Sequence, residues 1–313
     1  MAEERKLIKL GNSSFAVALP KEWISKSGLK KGDKVFIMPN NNGELMISSE
    51  FKKANMEKKT SINLEGKNED EIARELISAY IGGYNTIRVS GSEEKMRIIK
   101  TKSKKFLNLE LIENNGKEGV FRDLLDIENL DIANFMKRMD NNIKEMFSIL
   151  SNISENKKTN SNALKELEEI DNDVNKFYFL VWRLMNLGID NPSIQSHLKI
   201  NPKALVTFFW IAYNLEHIGD ELKKTAKKIS QTTEKSPHLT NTINLTKNLY
   251  DSSIKSFFDR NKELSKEVIL KKEEITKMCE KLSNLKDFAG IGEKLHQINL
   301  NIHNNSKMVF YDL

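Results

Sequence analysis

Two carboxylate pairs at helical spacing carry the most chemistry in this sequence. Glu216 and Asp220 sit in "ALVTFFWIAYNLEHIGDELKKTAKKI", and Glu169 and Asp173 in "LKELEEIDNDVNKFYFLVWRL". Residues four apart share one face of a helix, so each pair presents its oxygens on one side. If neighbouring antiparallel helices bring the pairs together, four carboxylates must be solvated, protonated or neutralised by cations. Hard oxygen donors suit Mg²⁺, Ca²⁺, Mn²⁺ or iron. One reading is a divalent or trivalent ion (iron, Mn, Mg, Zn or Ca) held by Glu169, Asp173, Glu216 and Asp220. The competing reading is a wet acidic face with lysine partners, which the Asp220–Lys224 spacing would allow.

The apolar stripes place these acids. Phe208, Ile211, Leu215, Ile218, Leu222, Ala226 and Ile229 recur at spacings of three and four, as do Leu167, Ile170, Val174, Phe177, Val181 and Leu184. Both pairs fall on the flanks of these stripes. Gly219 lies at a stripe edge, where a missing side chain lets another helix approach, and His217 points away from Glu216 and Asp220.

Catalysis finds little support. Carboxylate-bridged metal enzymes in helical bundles use Glu-x-x-His, but Gly219 stands three residues after Glu216 and Asn172 after Glu169. No Ser-His-Asp or Cys-His arrangement has a recognisable spacing. The expectation is a protein that is not an enzyme.

The elements that would hold these residues are set by the wider chain. Its 313 residues, with 39% apolar and 30% charged, allow two or three domains with a buried core. The net charge of +6 permits an anionic partner. A single cysteine, Cys279, excludes an intrachain disulfide and fits a reducing compartment. The opening "MAEERKLIKL" has early acids and no apolar leader, and the longest apolar run, Ala204 to Leu215, is too short to span a bilayer. These features predict a cytoplasmic protein with no membrane insertion.

Three segments follow. Residues 1–53 read as short strands and turns, with "KLIKLG" and "FAVALP" as strands, "KEWISKSG" as a helix capped by Gly28, and "VFIM" and "ELMISS" as two more strands. So little apolar material cannot close a core alone, and a dimer with interleaved strands would solve that. Ten Lys and Arg against six Asp and Glu give this segment +4 of the total charge. Residues 54–128 alternate strands and helices as a small α/β module. There, "NEDEIARELISAYIGGY" is a helix capped at Asn68, and Gly82-Gly83 is a helix terminus, not a phosphate loop. Residues 129–313 show six helical patterns: Ile132–Leu150, Ala163–Leu187, Pro202–Ser230, Thr240–Asn261, Leu264–Asn284 and Gly290–Tyr311. Three lie on each side of "TTEKSPH", which suggests an all-α pair of three-helix bundles.

Two stretches resemble known families. "RKLIKLGNSSFAVALPKEWISKSGLKKGDKVFIMPNNNGELMISS" resembles the AbrB/MazE-type swapped-hairpin domain, with its strand, Gly-Asn-Ser turn, "V-x-L-P" strand, Gly-terminated helix and "Gly-Asp-x-V". That resemblance implies an intertwined homodimer that contacts DNA, here through Arg5, Lys6, Lys9, Asn12, Ser13 and Lys21. "NLEHIGDELKKTAKKI" looks like the PhoU signature, and "EIDNDVNKFYFLVWRLMN" is similar to the preceding helix of archaeal-type PhoU proteins. The PhoU resemblance implies paired three-helix bundles that regulate phosphate uptake, with metal on the acidic faces. His217 replaces the usual Arg of the signature, and "GEKLHQINLNIHNNSKMVF" in the second half has no Glu-x-x-x-Asp pair.

Together the resemblances imply a regulator of phosphate homeostasis acting on transcription. A non-DNA-binding adaptor acting on a phosphate transporter or signalling protein is the alternative, and a carboxylate-bridged metalloenzyme is a third reading.

Overall fold

The computed structural model describes residues 3–39, 43–49, 57–155, 161–232, 234 and 236–311. The chain divides into two compact units, residues 1–53 and 54–313.

The first unit contains two separate ribbons. β1 (Ile8–Leu10) pairs antiparallel with β2 (Ser14–Ala16), with Lys9 opposite Phe15. After α1 (Lys21–Lys26) come β3 (Phe36–Pro39) and β4 (Leu45–Ser48), also antiparallel. Gly28, at φ +67°, ends α1. The Leu29 amide reaches Ile24 O and the Gly28 amide reaches Ser25 O, a closure that needs the left-handed conformation glycine adopts freely. None of residues 3–37 and 43–49 is buried.

The second unit begins with β5 (Lys59–Asn63), α2 (Glu69–Ile81), β6 (Thr86–Ser90), α3 (Glu93–Ser103), β7 (Leu109–Asn114) and β8 (Glu118–Asp123). The sheet order is β5-β6-β8-β7, with β5 parallel to β6 and the other pairs antiparallel. Asn68 caps α2 through a reciprocal box with Glu71, as the sequence predicts. Ile62, Ile87, Val89 and Phe121 line the covered face of the sheet with Leu76 and Met96 from the helices, while Arg88 and Arg122 face outward.

A 3-10 turn (Ile127–Asn129) then leads into the helices: α4 (Ile132–Glu155), α5 (Ser161–Gly188), α6 (Pro192–Leu198), α7 (Pro202–Ser230), α8 (Pro237–Phe258), α9 (Lys262–Leu270), α10 (Lys272–Ser283) and α11 (Ala289–Met308). Among these, α4, α5 and α7 pack against one another, as do α8, α10 and α11, and the two sets meet along α7–α11 and α4–α8. The short helix α6 was not anticipated. The expected helix Leu264–Asn284 is two helices, broken at Lys271.

Between the two helix sets lies a polar seam in which Tyr250 Oη donates to Asp140 at 3.0 Å and Asn214 to Asn305 at 2.8 Å, while within the second set Asn299 of α11 donates to Thr246 of α8 at 3.0 Å. Buried polar groups need such partners, which makes the seam a matching device between the sets. Cys279 is buried in α10, and desolvation pushes its thiol up to about 12, so it packs as a small apolar residue. No helix among the described residues is long and apolar enough to cross a membrane.

Candidate functional site

The expected stripe of α7 lies inside, with Ile211, Leu215, Ile218, Leu222, Ala226 and Ile229 all buried. Gly219 does what its position implies. A Cβ there would stand 3.2 Å from Ile143 Cδ1 of α4 and 3.5 Å from Asp171 Oδ1 of α5. This close approach brings the acids of α7 to α5.

The acid of α5 that meets them is Asp171, not the expected pair. Only 4% of the Asp171 side chain is exposed, against 55% for Asp173. Glu169 is also exposed, and Asp173 is held by Lys176 at 2.7 Å on the outer side of α5. Lys223 Nζ joins the two helices, bonded to Asp171 Oδ2 and, at 3.0 Å, to Asp220 Oδ1. Lys224 adds a second contact to Asp220 at 3.5 Å. Glu216 is largely covered and lies 2.8 Å from His217 Nδ1, so His217 turns toward Glu216 and not away from it. The same Nδ1 is 3.0 Å from Tyr213 O. Both partners are acceptors, which puts the imidazole proton on Nδ1.

The electrostatics follow from these contacts. Burial raises the Asp171 pKa, with Lys223 pulling against it. Burial likewise raises Glu216, reinforced by Asp220 and Asp171 and opposed by His217 and Lys223. For Asp220 burial also acts upward, but Lys223 and Lys224 outweigh it and its pKa falls. Lys223 is desolvated too, yet its two carboxylates hold it above the usual lysine value.

This arrangement does not fit the metal set expected from Glu169, Asp173, Glu216 and Asp220. Those four side chains are not gathered, and a lysine ammonium stands between the two carboxylates that do face each other. Among the described residues, no three His, Cys, Asp or Glu side chains converge as a bound ion requires. The sequence did hold a signal for Asp171. It falls on the buried stripe between Leu167 and Val174, where an ionisable residue needs a partner.

A second ionic group was also missed. Arg183 of α5 is fully buried and donates to Asp123 Oδ2 of β8 at 2.6 Å. It also donates to the backbone carbonyls of Tyr80 and Tyr84, with its guanidinium 4.9 Å from the Tyr80 ring. Asp123 is raised by burial against the pull of Arg183. The cluster ties the sheet module to α5, as do Gly83 against Leu187 and Phe106 against Phe179.

In the first unit, Arg5, Lys6, Lys9, Asn12, Ser13 and Lys21 are all exposed. Arg5 pairs with Glu3, Asn12 and Ser13 form the turn between β1 and β2, and Lys21 opens α1.

Residues 8–58 match the family model described as antidote-toxin recognition MazE, bacterial antitoxin. Residues 136–229, which span α5, α6, α7 and most of α4, match the PhoU domain model. No curated protein and no solved structure matches the chain. The chain thus joins an N-terminal AbrB/MazE-like domain to a PhoU domain.

Proposed function

We propose that the protein is a dimeric, DNA-binding regulator of phosphate homeostasis, with residues 1–53 as its DNA-binding half and the helices as its sensing half. The observation that carries this reading is the state of the first unit. Leu7, Ile8, Leu10, Phe15, Val17, Phe36, Ile37, Leu45 and Met46 are all exposed there, with Phe15 at 66% and Leu45 at 67%. Apolar surface on this scale marks an interface. A second copy that interleaves its ribbons as a swapped hairpin would cover it, in keeping with the MazE-type match.

The dimer would present Lys6, Lys9 and Lys21 twice, beside the polar turn at Asn12 and Ser13. These groups suit phosphate contacts, which position a protein on DNA without reading bases. The triplets α4/α5/α7 and α8/α10/α11 would serve as the paired three-helix bundles of a PhoU-type regulator, without catalysis. Lys223, in place of a metal ion, neutralises the acids between α5 and α7.

The test is DNA binding by the full chain across a salt series. Log affinity should fall linearly with log salt by about 0.9 per phosphate contact, and Lys6→Ala with Lys9→Ala should flatten that slope. Absence of salt-dependent binding at low ionic strength would contradict DNA binding. It would favour the adaptor reading, in which the first unit only dimerises and a transporter or signalling protein receives the output.

A further inference from the structure

The short helix α6 has a consequence for the second unit. With the 3-10 turn at Ile127–Asn129, the start of α7 and the end of α8, it encloses a half-open cleft of about 750 Å³. That volume is in the range of small-molecule sites, roughly 300–1,000 Å³. The cleft belongs to neither the acidic cluster of α5 and α7 nor the basic hairpin of the first unit.

Its floor is apolar and largely aromatic. Phe208 of α7 and Phe257 of α8 meet edge to face at 5.8 Å, and Phe258 and Ile200 add half-buried surface beside them. Its rim is cationic: Lys199 closes α6 and Arg260 follows α8, with His197 also on the lining. None of these three has an ion-pair partner among the described residues. The one carboxylate on the lining, Asp131, is engaged with the first amides of α4, at 2.9 Å from Ala133 N and 3.2 Å from Asn134 N.

The backbone gives a separate indication. Among the described residues three non-glycine positions have positive φ, and two of them are Lys199 at +54° and Arg260 at +52°. Glycine or asparagine would hold this conformation at lower cost. Both left-handed helix ends instead carry long cationic side chains, and both line the same cleft. Local propensity has given way to charge at two points of one rim, a conflict expected at functional sites.

We propose that this cleft binds a small amphipathic anion, a flat apolar ring joined to a phosphate or similar oxyanion. The ring lies on Phe208, Phe258 and Ile200. The anionic group is met by Arg260, whose planar fork suits oxyanions, and by Lys199. The proposal is independent of whether residues 1–53 bind DNA.

The test uses the full chain with 1-naphthyl phosphate as probe, followed by calorimetry and by the probe's own fluorescence. Inorganic phosphate and 1-naphthol serve as its two halves. The joined molecule should bind at least about tenfold more tightly than either half, because one site holds both parts. Lys199→Gly combined with Arg260→Gly removes the charges while easing the backbone, so this variant should fold at least as well and bind at least about tenfold more weakly. Ala204→Trp fills the cleft without changing charge and should weaken binding to a similar degree. A wild-type chain that binds no probe up to about 1 mM, an affinity worth only about 4 kcal/mol, overturns the proposal. So does either variant binding as tightly as wild type.

Discussion

In the second unit most large apolar side chains lie inside, from Ile62 in the sheet to Val309 past the end of α11, with single exceptions such as Leu270 and Trp210, whereas Leu7, Ile8, Phe15, Ile37 and Leu45 of the first unit remain in water together. The two units share one chain and one solvent, so the difference lies in what each can enclose. The larger unit has a sheet covered by helices and two helix sets that cover each other. Among its described residues the smaller has two two-stranded ribbons and a six-residue helix, and no second layer for them to pack against. Burying a large apolar side chain contributes about 1.5–3 kcal/mol. That contribution is missing from the smaller unit until another surface covers it. In the dimer proposed above, one unit holds its structure by itself, while the other completes its core with the second copy.

The largest effect should come from breaking the interior of the self-sufficient unit. Arg183→Met leaves Asp123 buried without its guanidinium partner, which should cost about 3–5 kcal/mol. Denaturant unfolding of the helices would show it at any protein concentration. In the smaller unit, Phe15→Ser should act differently. Its cost, about 1.5–3 kcal/mol per copy, should appear as a higher dimer dissociation constant, with the helical melt unchanged. If Phe15→Ser leaves association intact, the exposed ribbon is not the interface.

The acidic cluster sharpens the comparison further, because it is neutralised from within. Lys223→Ala should lower stability by about 1–3 kcal/mol, since Asp171 loses the partner that offsets its burial. Mn²⁺ should restore part of that loss in thermal melts, whereas wild type should respond to neither Mn²⁺ nor chelator. A metal ion that co-purifies with wild type and leaves in Glu216→Ala with Asp220→Ala would contradict this account.

The smallest effect concerns pH. The folded-state pKa of Glu216 is raised above its ordinary value of 4.5. The folded state therefore holds this proton more tightly than the unfolded chain, and stability should fall as pH rises from 4.5 through the raised value. Glu216→Gln should remove that component and leave the protein slightly more stable near neutral pH. An unchanged pH profile in melts of the variant would show that Glu216 is not desolvated.

Much of this was legible in the sequence. The period of three and four located α5 and α7, Gly219 marked their close approach, and the capping residues of α2 gave its start. The four strands of the first unit follow their turn residues. What failed was the choice of acids. Spacing picks out Glu169 and Asp173 because they are four apart, yet burial picks out Asp171, and burial depends on which side of α5 meets α7. The Arg183–Asp123 contact joins residues 60 apart in the chain, so no local pattern reports it. The helix α6 is too short to show a period, and its cap at Asn191 with Pro192 was the only local signal.

Light scattering on the full chain at micromolar concentration, set beside the same measurement on residues 54–313, decides whether the first unit pairs with a second copy. The full chain should have twice its 36.0 kDa chain mass, and the shorter one, still folded by circular dichroism, should be a monomer. A full-length chain that remains a monomer, with its N-terminal ribbons protected from hydrogen exchange, would contradict that pairing.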